Sequence, residues 1–331
     1  MSEHSAIGAI KEKLEELRRL LPGQKALIEE LERQASEVSA SSEQEIKPSK
    51  QEEAEPPKPP KPQVPKAWEV IKLARAADRP HGLQFITAMT ERFIELHGDR
   101  AFGDDAAIVG GVAMFRGRPV TIICTEKGRS IGQKIKRNFG MPHPEGYRKA
   151  MRLMEQAERF GRPVICLIDT SGAYCGIGAE ERGQGQAIAW NLQRMGTLKV
   201  PVVSVIIGEG FSGGALALGV CDRLLMLQNS VYSIITPEGC ASILYKDPKQ
   251  ASQAAGFLKM TAEDLHELGI CDGTIAEPAE GLRHANLSEV AGPLGDAVQA
   301  ALDELCELDP STLLERRYGR YRAVGRQNDC V

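Results

Sequence analysis

Residues 200–220, VPVVSVIIGEGFSGGALALGV, decide how the rest of the chain is read. The nearly continuous apolar run at residues 202–207, bounded by Pro201 and Gly208, predicts a strand buried on both faces. The glycines that follow let the backbone turn sharply and let another molecule approach it closely. A helix of very small residues comes next. Its first N–H groups lack an intrahelical acceptor, and its dipole adds positive charge there. The junction therefore suits an anion, or an oxygen that becomes one during a reaction.

Three motifs share these letters. Gly208, Gly210 and Gly213 spell GxGxxG, the dinucleotide fingerprint, which needs an acidic residue at the end of the next strand. Residues 228–237 contain none, and the helix before Asp222 is too short for that unit, so the reading is rejected. Gly210, Ser212 and Gly214 spell GxSxG, the nucleophile elbow of serine hydrolases, with Asp264, Asp272, His266 and His284 downstream as potential partners. The third reading takes Gly213 and Gly214 as backbone donors of an oxyanion hole without a covalent nucleophile. A side chain at Gly214 would then occupy the oxygen's place. A strand–helix junction that merely packs tightly would carry the same letters.

The chain has 331 residues and a formal charge of −4, which gives no push toward nucleic acid or an anionic membrane. No apolar run reaches the ~20 residues that span a bilayer, and the polar N-terminus has no signal-peptide core. The eight cysteines form no CxxC pair, so a cytoplasmic protein with reduced thiols and no metal site of its own is expected.

Three segments are expected. In residues 1–40, Ile7, Ile10, Leu14, Leu17 and Leu21 follow 3-4 spacing, predicting a coiled-coil-like helical segment hinged at Pro22-Gly23. Residues 41–66 turn to Glu, Lys, Ser and Pro and read as a disordered, extended linker. Residues 67–331 form the folded domain. There, residues 109–115 and 120–124 predict a hairpin across Arg116-Gly117-Arg118. A helix should follow with Tyr147, Met151, Met154, Ala157 and Phe160 on one face. Residues 164–168 read as a strand entering a second glycine loop, DTSGAYCGIGAEE. A helix at residues 184–195 should bury Ile188, Leu192 and Met195. After the 202–207 strand, residues 224–227 and 231–235 predict two more strands. Thr236-Pro237-Glu238 then starts a helix with a cap, an N1 proline and an acid. A short helix over residues 261–268 is closed by Gly269, and the tail is amphipathic, then arginine-rich. Two strands and a helix recur as a unit, each leading to a glycine-marked helix start. Such stacked ββα units suggest an α/β, crotonase-like superhelix rather than a doubly wound sheet.

The second loop repeats the grammar of the first, which points to a shared active-site mouth. Its members Gly172, Ala173, Tyr174 and Gly176 join Gly210, Phe211 and Ser212 as candidate substrate-binding positions. Lys127, Arg129, Lys134, Lys136 and Arg137 crowd one segment, either as a solvated basic face or as a clamp for phosphate or carboxylate. Arg316, Arg317, Arg320 and Arg322, interleaved with Tyr318 and Tyr321, read as a structural or partner-facing tail, since no nucleic-acid fold accompanies them. The six histidines show no metal or HExxH spacing. Glu209 and Glu238 are potential acids or bases.

The segments HGDRAFGDDAAIVGGVA, KRNFGMPHPEGYRKAMRLM, ERFGRPVICLIDTSGAYCGIGAEERGQ, VIIGEGFSGGALALGV and YSIITPEGCASILYK closely resemble the alpha subunit of bacterial acetyl-CoA carboxylase carboxyltransferase. The resemblance runs in order from about Ala67 to the C-terminus. It implies the crotonase-like fold and transfer of carboxylate from carboxybiotin, borne on a separate biotin carboxyl carrier protein, to acetyl-CoA, giving malonyl-CoA for fatty acid biosynthesis. It implies that Gly213 and Gly214 are the donors facing biotin's ureido oxygen. It further implies a zinc-ribbon beta subunit in an alpha2beta2 assembly, and an ATP-using biotin carboxylase. Such chemistry needs two oxyanions stabilised and water excluded, and no nucleophile or metal from this chain. Ser171 and Cys175 stand where that family usually has proline, and Phe211 where glycine is common. These differences bear on the acyl group and on whether Phe211 narrows the pocket. A related acyl-CoA carboxyltransferase or decarboxylase is the alternative they leave.

Overall fold

The computed structural model describes residues 66–325. The helical segment and nearly all of the linker expected before Lys66 lie outside the described residues. Strands run β1 Arg92–Glu95, β2 Ile108–Phe115, β3 Arg118–Thr125, β4 Val164–Thr170, β5 Val202–Phe211, β6 Arg223–Leu227, β7 Val231–Ser233 and β8 Gly273–Ile275. Helices run α1 Lys66–Ala74, α2 Gly82–Met89, α3 Ile131–Lys136, α4 Pro144–Arg159, α5 Ile177–Glu181, α6 Gln184–Thr197, α7 Ser212–Leu216, α8 Pro237–Leu244, α9 Ala251–Phe257, α10 Ala262–Glu267, α11 Leu287–Cys306 and α12 Pro310–Ala323.

One mixed sheet has the order β1-β2-β3-β4-β5-β6-β8, with β7 pairing β5 off that path. The first three strands are antiparallel and the rest parallel. The expected hairpin forms across Arg116 and Gly117, whose φ values of 50° and 76° are what a two-residue turn matching the strand twist requires. Both faces of the sheet are covered, so β4 and β5 are buried at every position. Along β5, Val203, Val205 and Ile207 join the core beneath α2 and α11, while Val202 and Ile206 join the core beneath α4 and α6. Ser204 falls on the second face, where its hydroxyl donates to Leu218 O at 2.7 Å.

The strand expected to stop at Ile207 continues to Phe211. Its first half pairs with β6, and Glu209, Gly210 and Phe211 pair with Val231, Tyr232 and Ser233 of β7. Against β4 the register slips: Ile168 pairs Ile206, but Thr170 pairs Gly210. Glycine without a side chain lets the ladder pass this crowded point. A Cβ on Gly208 would lie 2.4 Å from the Asp169 carboxylate, and one on Gly210 would lie 3.0 Å from the Tyr232 ring.

Two helical faces differ from expectation. On α4, Tyr147, Met151, Met154 and Ala157 are buried as the spacing predicts, but Phe160 is the C-cap and stays 68% exposed. On α6 the buried set is Gln184, Ala187, Asn191 and Met195; Ile188 and Leu192 sit at the edge of the face. Polar residues take the interior positions because loop carbonyls need donors there. Gln184 Nε2 donates to Pro142 O and Tyr174 O, and Asn191 Nδ2 to Ala217 O. The cap read at Thr236 is present, its Oγ1 accepting from Gly239 N, and the structure adds a capping box of Thr261 with Asp264. No helix among the described residues is long and apolar enough to cross a membrane.

The arginine-rich tail is structural at its centre. Arg317 is 1% exposed and grips both oxygens of buried Asp222 at 2.8 and 2.6 Å. It also donates to the carbonyls of Met195, Leu198 and Val200, pinning α12 to the end of α6 and the start of β5. Asp222 in turn accepts from Val202 N at 2.8 Å. Arg317→Met should therefore cost about 3–5 kcal/mol, because Asp222 keeps its buried charge and loses its partner. Urea unfolding of the full chain measures this; a loss below about 1 kcal/mol, the range of a surface pair, would contradict the assignment.

Candidate functional site

The two glycine loops meet backbone to backbone. Thr170, at the end of β4, orders the first: its Oγ1 lies 2.6 Å from Gly140 O and accepts from Gly172 N at 3.1 Å. Tyr174 N donates to Pro142 O at 3.0 Å, so the N–H groups of Gly172 and Tyr174 are both engaged. The second loop begins at Ser212, whose φ of 60° turns the chain from β5 into α7. Helix geometry leaves the N–H groups of Ser212, Gly213 and Gly214 without an acceptor inside α7. A Cβ on Gly214 would lie 2.3 Å from Ala173 N and 2.6 Å from Gly172 C. Gly214 is thus required by the contact between loops. A side chain there strikes backbone, and does not simply fill the space of a bound oxygen as the sequence suggested. Buried Tyr147 donates from its hydroxyl to Gly214 O at 3.2 Å and holds the short helix from below. At Gly213 the nearest neighbour to an added Cβ is the Ile188 side chain at 3.5 Å, so this side of the turn is open.

Beside the loops lies a chain of buried charges. Asp169 accepts from Lys127 Nζ at 2.7 Å, from Glu209 N at 2.9 Å and faces His81 Nδ1 at 2.9 Å. Lys127 also pairs with Glu209 at 2.7 Å, Arg75 bridges Glu209 and Glu238 at 2.6 Å each, and Asp169 N donates to Thr125 Oγ1. Burial opposes the Asp169 charge, but Lys127 and then His81 outweigh it and hold the carboxyl below its ordinary range. The Lys127 ammonium is raised by Asp169 and Glu209 against the same burial. Arg75 likewise keeps Glu238 below its usual value. Arg75, His81, Lys127, Lys134, Ser171 and Glu209 line a cavity of about 270 Å³ here.

The five cations read as one cluster divide. Lys127 is neutralised, and Arg137 donates to Ala106 O at 2.7 Å. Lys134 faces the cavity; Arg129 and Lys136 are exposed. Phe211 does not narrow a pocket: it is fully buried in a core with Ile71, Ala74, Val231, Ala255 and Met260. Gly210 is buried within β5, Tyr174 stacks at a tilt on His143 with centroids 4.5 Å apart, and Gly176 caps α5 where a Cβ would strike the Tyr174 ring. Glu209 and Glu238 are ion-paired, not free bases. None of the hydrolase partners reaches Ser212: His266 faces Cys271 O, His284 faces Gln84, Asp264 caps α10, and Asp272 pairs Arg320. Arg75 and His81 were not singled out from sequence. Their run, ARAADRPHG, has no period or motif that marks it.

The Asp169 network has a definite pH signature. A carboxyl whose folded pKa is depressed contributes stability that is complete above about 4 and lost as pH falls through the folded value. Asp169→Asn should cost about 3–5 kcal/mol at neutral pH. The gap between wild type and variant in urea unfolding should narrow as pH drops below about 4. A gap that is the same at pH 7 and in acid would show that the Asp169 charge contributes nothing.

Comparison with known proteins fits this geometry. The sequence profile described as acetyl co-enzyme A carboxylase carboxyltransferase-like matches residues 12–325. The acetyl-coenzyme A carboxylase carboxyl transferase subunit alpha of Clostridium acetobutylicum is 54% identical over 259 residues, covering 78% of this chain and 94% of that protein. That of Heliobacterium modesticaldum is 55% identical over 258 residues, covering 78% and 77%. Among solved structures, transcarboxylase 12S with methylmalonyl-coenzyme A bound superposes with a TM-score of 0.57 at 17% identity, over 82% of this chain and 51% of that one. This chain thus spans about half the length of the transcarboxylase chain. A Pseudomonas malonate decarboxylase hetero-tetramer in complex with coenzyme A gives 0.56 at 18% identity, covering 73% and 95%. These structures share the crotonase-like fold expected from the recurring strand–strand–helix units. The chain belongs to the acetyl-coenzyme A carboxylase carboxyltransferase family of transferases, alongside its alpha subunits.

Proposed function

We propose that this chain is the alpha half of a carboxyltransferase that moves a carboxyl group from carboxybiotin, held on a separate biotin carboxyl carrier protein, to acetyl-CoA. The carrying observation is the pair of abutting glycine loops, with the first-turn N–H groups of α7 left open and Ser212 without a base. Carboxybiotin supplies the carboxyl group, and its ureido oxygen gains negative charge as the C–N bond breaks. The N–H groups of Gly213 and Gly214 meet that oxygen, fixed in place before reaction by the Gly172–Ala173 backbone behind them. Ala173, Tyr174 and Gly176 shape the mouth. Of this cluster, Lys134, Arg129 and Lys136 have no ion-pair partner among the described residues and meet a phosphate or carboxylate; Lys127 and Arg137 act as positioning residues instead. Replacing one such oxygen donor costs about 3–4 kcal/mol in comparable sites.

The acyl substrate needs donors of its own, and one junction of this type stands in the described chain. A homologous beta subunit in an alpha2beta2 assembly would supply the opposite wall. Exposed Ile177, Leu216 and Ile234, on α5, on α7 and before α8, give that subunit an apolar surface to cover. The zinc ribbon belongs to that partner, and an ATP-using biotin carboxylase recharges the carrier, all in the cytoplasm.

Two outcomes follow. The purified chain alone should not transfer carboxyl from carboxybiotin to acetyl-CoA, and adding the zinc-ribbon subunit should restore turnover. Robust turnover by the lone chain would overturn the half-site reading. Gly213→Pro, which removes the N–H in a first helical turn that tolerates proline, should lose about two orders of magnitude in transfer, whereas Gly214→Val should fail to reach the native fold. Ser212→Ala should keep most activity, and a fluorophosphonate should not label the chain. A serine nucleophile would instead lose several orders of magnitude and label stoichiometrically.

A further inference from the structure

The segment HGDRAFGDD has no part in the glycine loops, yet it builds a second charged concavity. Arg100 Nη1 donates to His97 O at 2.9 Å, and Arg152 Nη2 reaches the same oxygen at 3.3 Å. Arg152 Nε also donates to Gly98 O at 3.0 Å. Two guanidinium groups therefore converge on one neutral carbonyl, and among the described residues no carboxylate bridges them. The nearby acids are engaged elsewhere. Asp99 pairs with Arg148 at 2.7 Å and accepts from the amides of Ala101, Phe102 and Gly103. Asp104 pairs with Lys149, Glu145 with Arg182, and Glu155 with Arg194. Burial first, and then the Arg100 charge, pull the Arg152 guanidinium below its ordinary value. Like charges held this close in a half-buried site are unfavourable until an anion sits between them.

There is room for one. Arg100, Arg148, Arg152 and Arg182 line a cavity of about 600 Å³ between α4 and α6, together with Trp190 and the carboxylates of Asp99 and Glu155, which pair with Arg148 and Arg194. Trp190 is 52% exposed, so part of its indole is open to a molecule in the cavity. The first turn of the 14-residue helix α6 also borders the cavity, at Gly183 and Gln186. No lining residue is shared with the 270 Å³ cavity or with the glycine loops.

We infer that this cavity binds a nucleotide, with Arg100 and Arg152 clamping its phosphates and Trp190 stacking on its base. Guanidinium forks match phosphate oxygens in geometry as well as charge, and an indole face accepts a planar ring. The site is independent of carboxyl transfer, and its failure would leave that reading untouched.

The test titrates the purified full chain with ADP, inorganic pyrophosphate and adenosine, by calorimetry and by tryptophan fluorescence. Only Trp68 and Trp190 emit, so Trp190→Phe assigns the signal. ADP should bind saturably below about 1 mM, more tightly than pyrophosphate, and quench Trp190. Adenosine should bind least. Arg100→Gln and Arg152→Gln should each weaken ADP by about tenfold or more, and binding should fall with added salt. Arg100 is exposed and, among the described residues, its side chain bonds only His97 O, so its variant decides the matter even if Arg152→Gln misfolds. The inference is overturned if ADP shows no saturable binding up to about 10 mM, or if Arg100→Gln binds it unchanged. Equal affinity for ADP and pyrophosphate with unaltered Trp190 fluorescence would also sink the nucleotide assignment.

Discussion

Asp169 is a carboxylate with almost no access to water, and the arrangement of the site follows from satisfying it. An isolated buried charge is too costly to keep. Here Lys127, His81 and the Glu209 amide share the load, and each comes from a different part of the chain. Lys127 follows β3, His81 precedes α2, and Glu209 lies on β5. The carboxylate therefore ties the ends of three segments to the point where β4 opens into its glycine loop. The register slip between β4 and β5 falls at Asp169, between the pairs Ile168–Ile206 and Thr170–Gly210.

The glycines of the organising stretch are consequences of that geometry, each for its own reason. Gly208 leaves space for the Asp169 carboxylate, Gly210 for the Tyr232 ring, and Gly214 for the backbone of the other loop. Gly213 alone faces room that a side chain could enter. Three of the four are thus packing requirements, and a GxGxxG or GxSxG string arises from them without the chemistry those motifs usually signal. Phe211 shows the converse. It sits among the glycines and reads as part of a pocket, but alternation along β5 sends its ring into the core beside α1.

What was legible in the sequence was what short-range rules govern. The Arg116-Gly117 turn, the Thr236 cap and, Phe160 apart, the α4 face depend on neighbours within a few residues, and they stand where the spacing puts them. The resemblance carried the family. The charge network was not legible, because Lys127, Asp169 and Glu209 are brought together only by parallel strand pairing. Nor was the role of Arg317, one arginine among several in a basic run. The α6 face failed for a related reason: Gln184 and Asn191 are buried to serve distant carbonyls, which no hydrophobic period records.

The same accounting locates the positive potential available to a substrate. Arg75 and Lys127 face the three carboxylates of Asp169, Glu209 and Glu238, so the two permanent cations there are already outnumbered. An anionic oxygen placed against that network gains little attraction from it. The aligned N–H groups at the start of α7, by contrast, carry partial positive charge that needs no counter-charge. The buried ion pairs tie Lys127, His81 and Glu209 to Asp169, where β4 opens into the loop behind those N–H groups. Lys134 lines the same cavity as that network, while Arg129 and Lys136 stand exposed on the surface. Buried, engaged cations such as Lys127 and Arg137 and exposed ones such as Arg129 and Lys136 are thus two different sets of charges, which sequence proximity had merged into one.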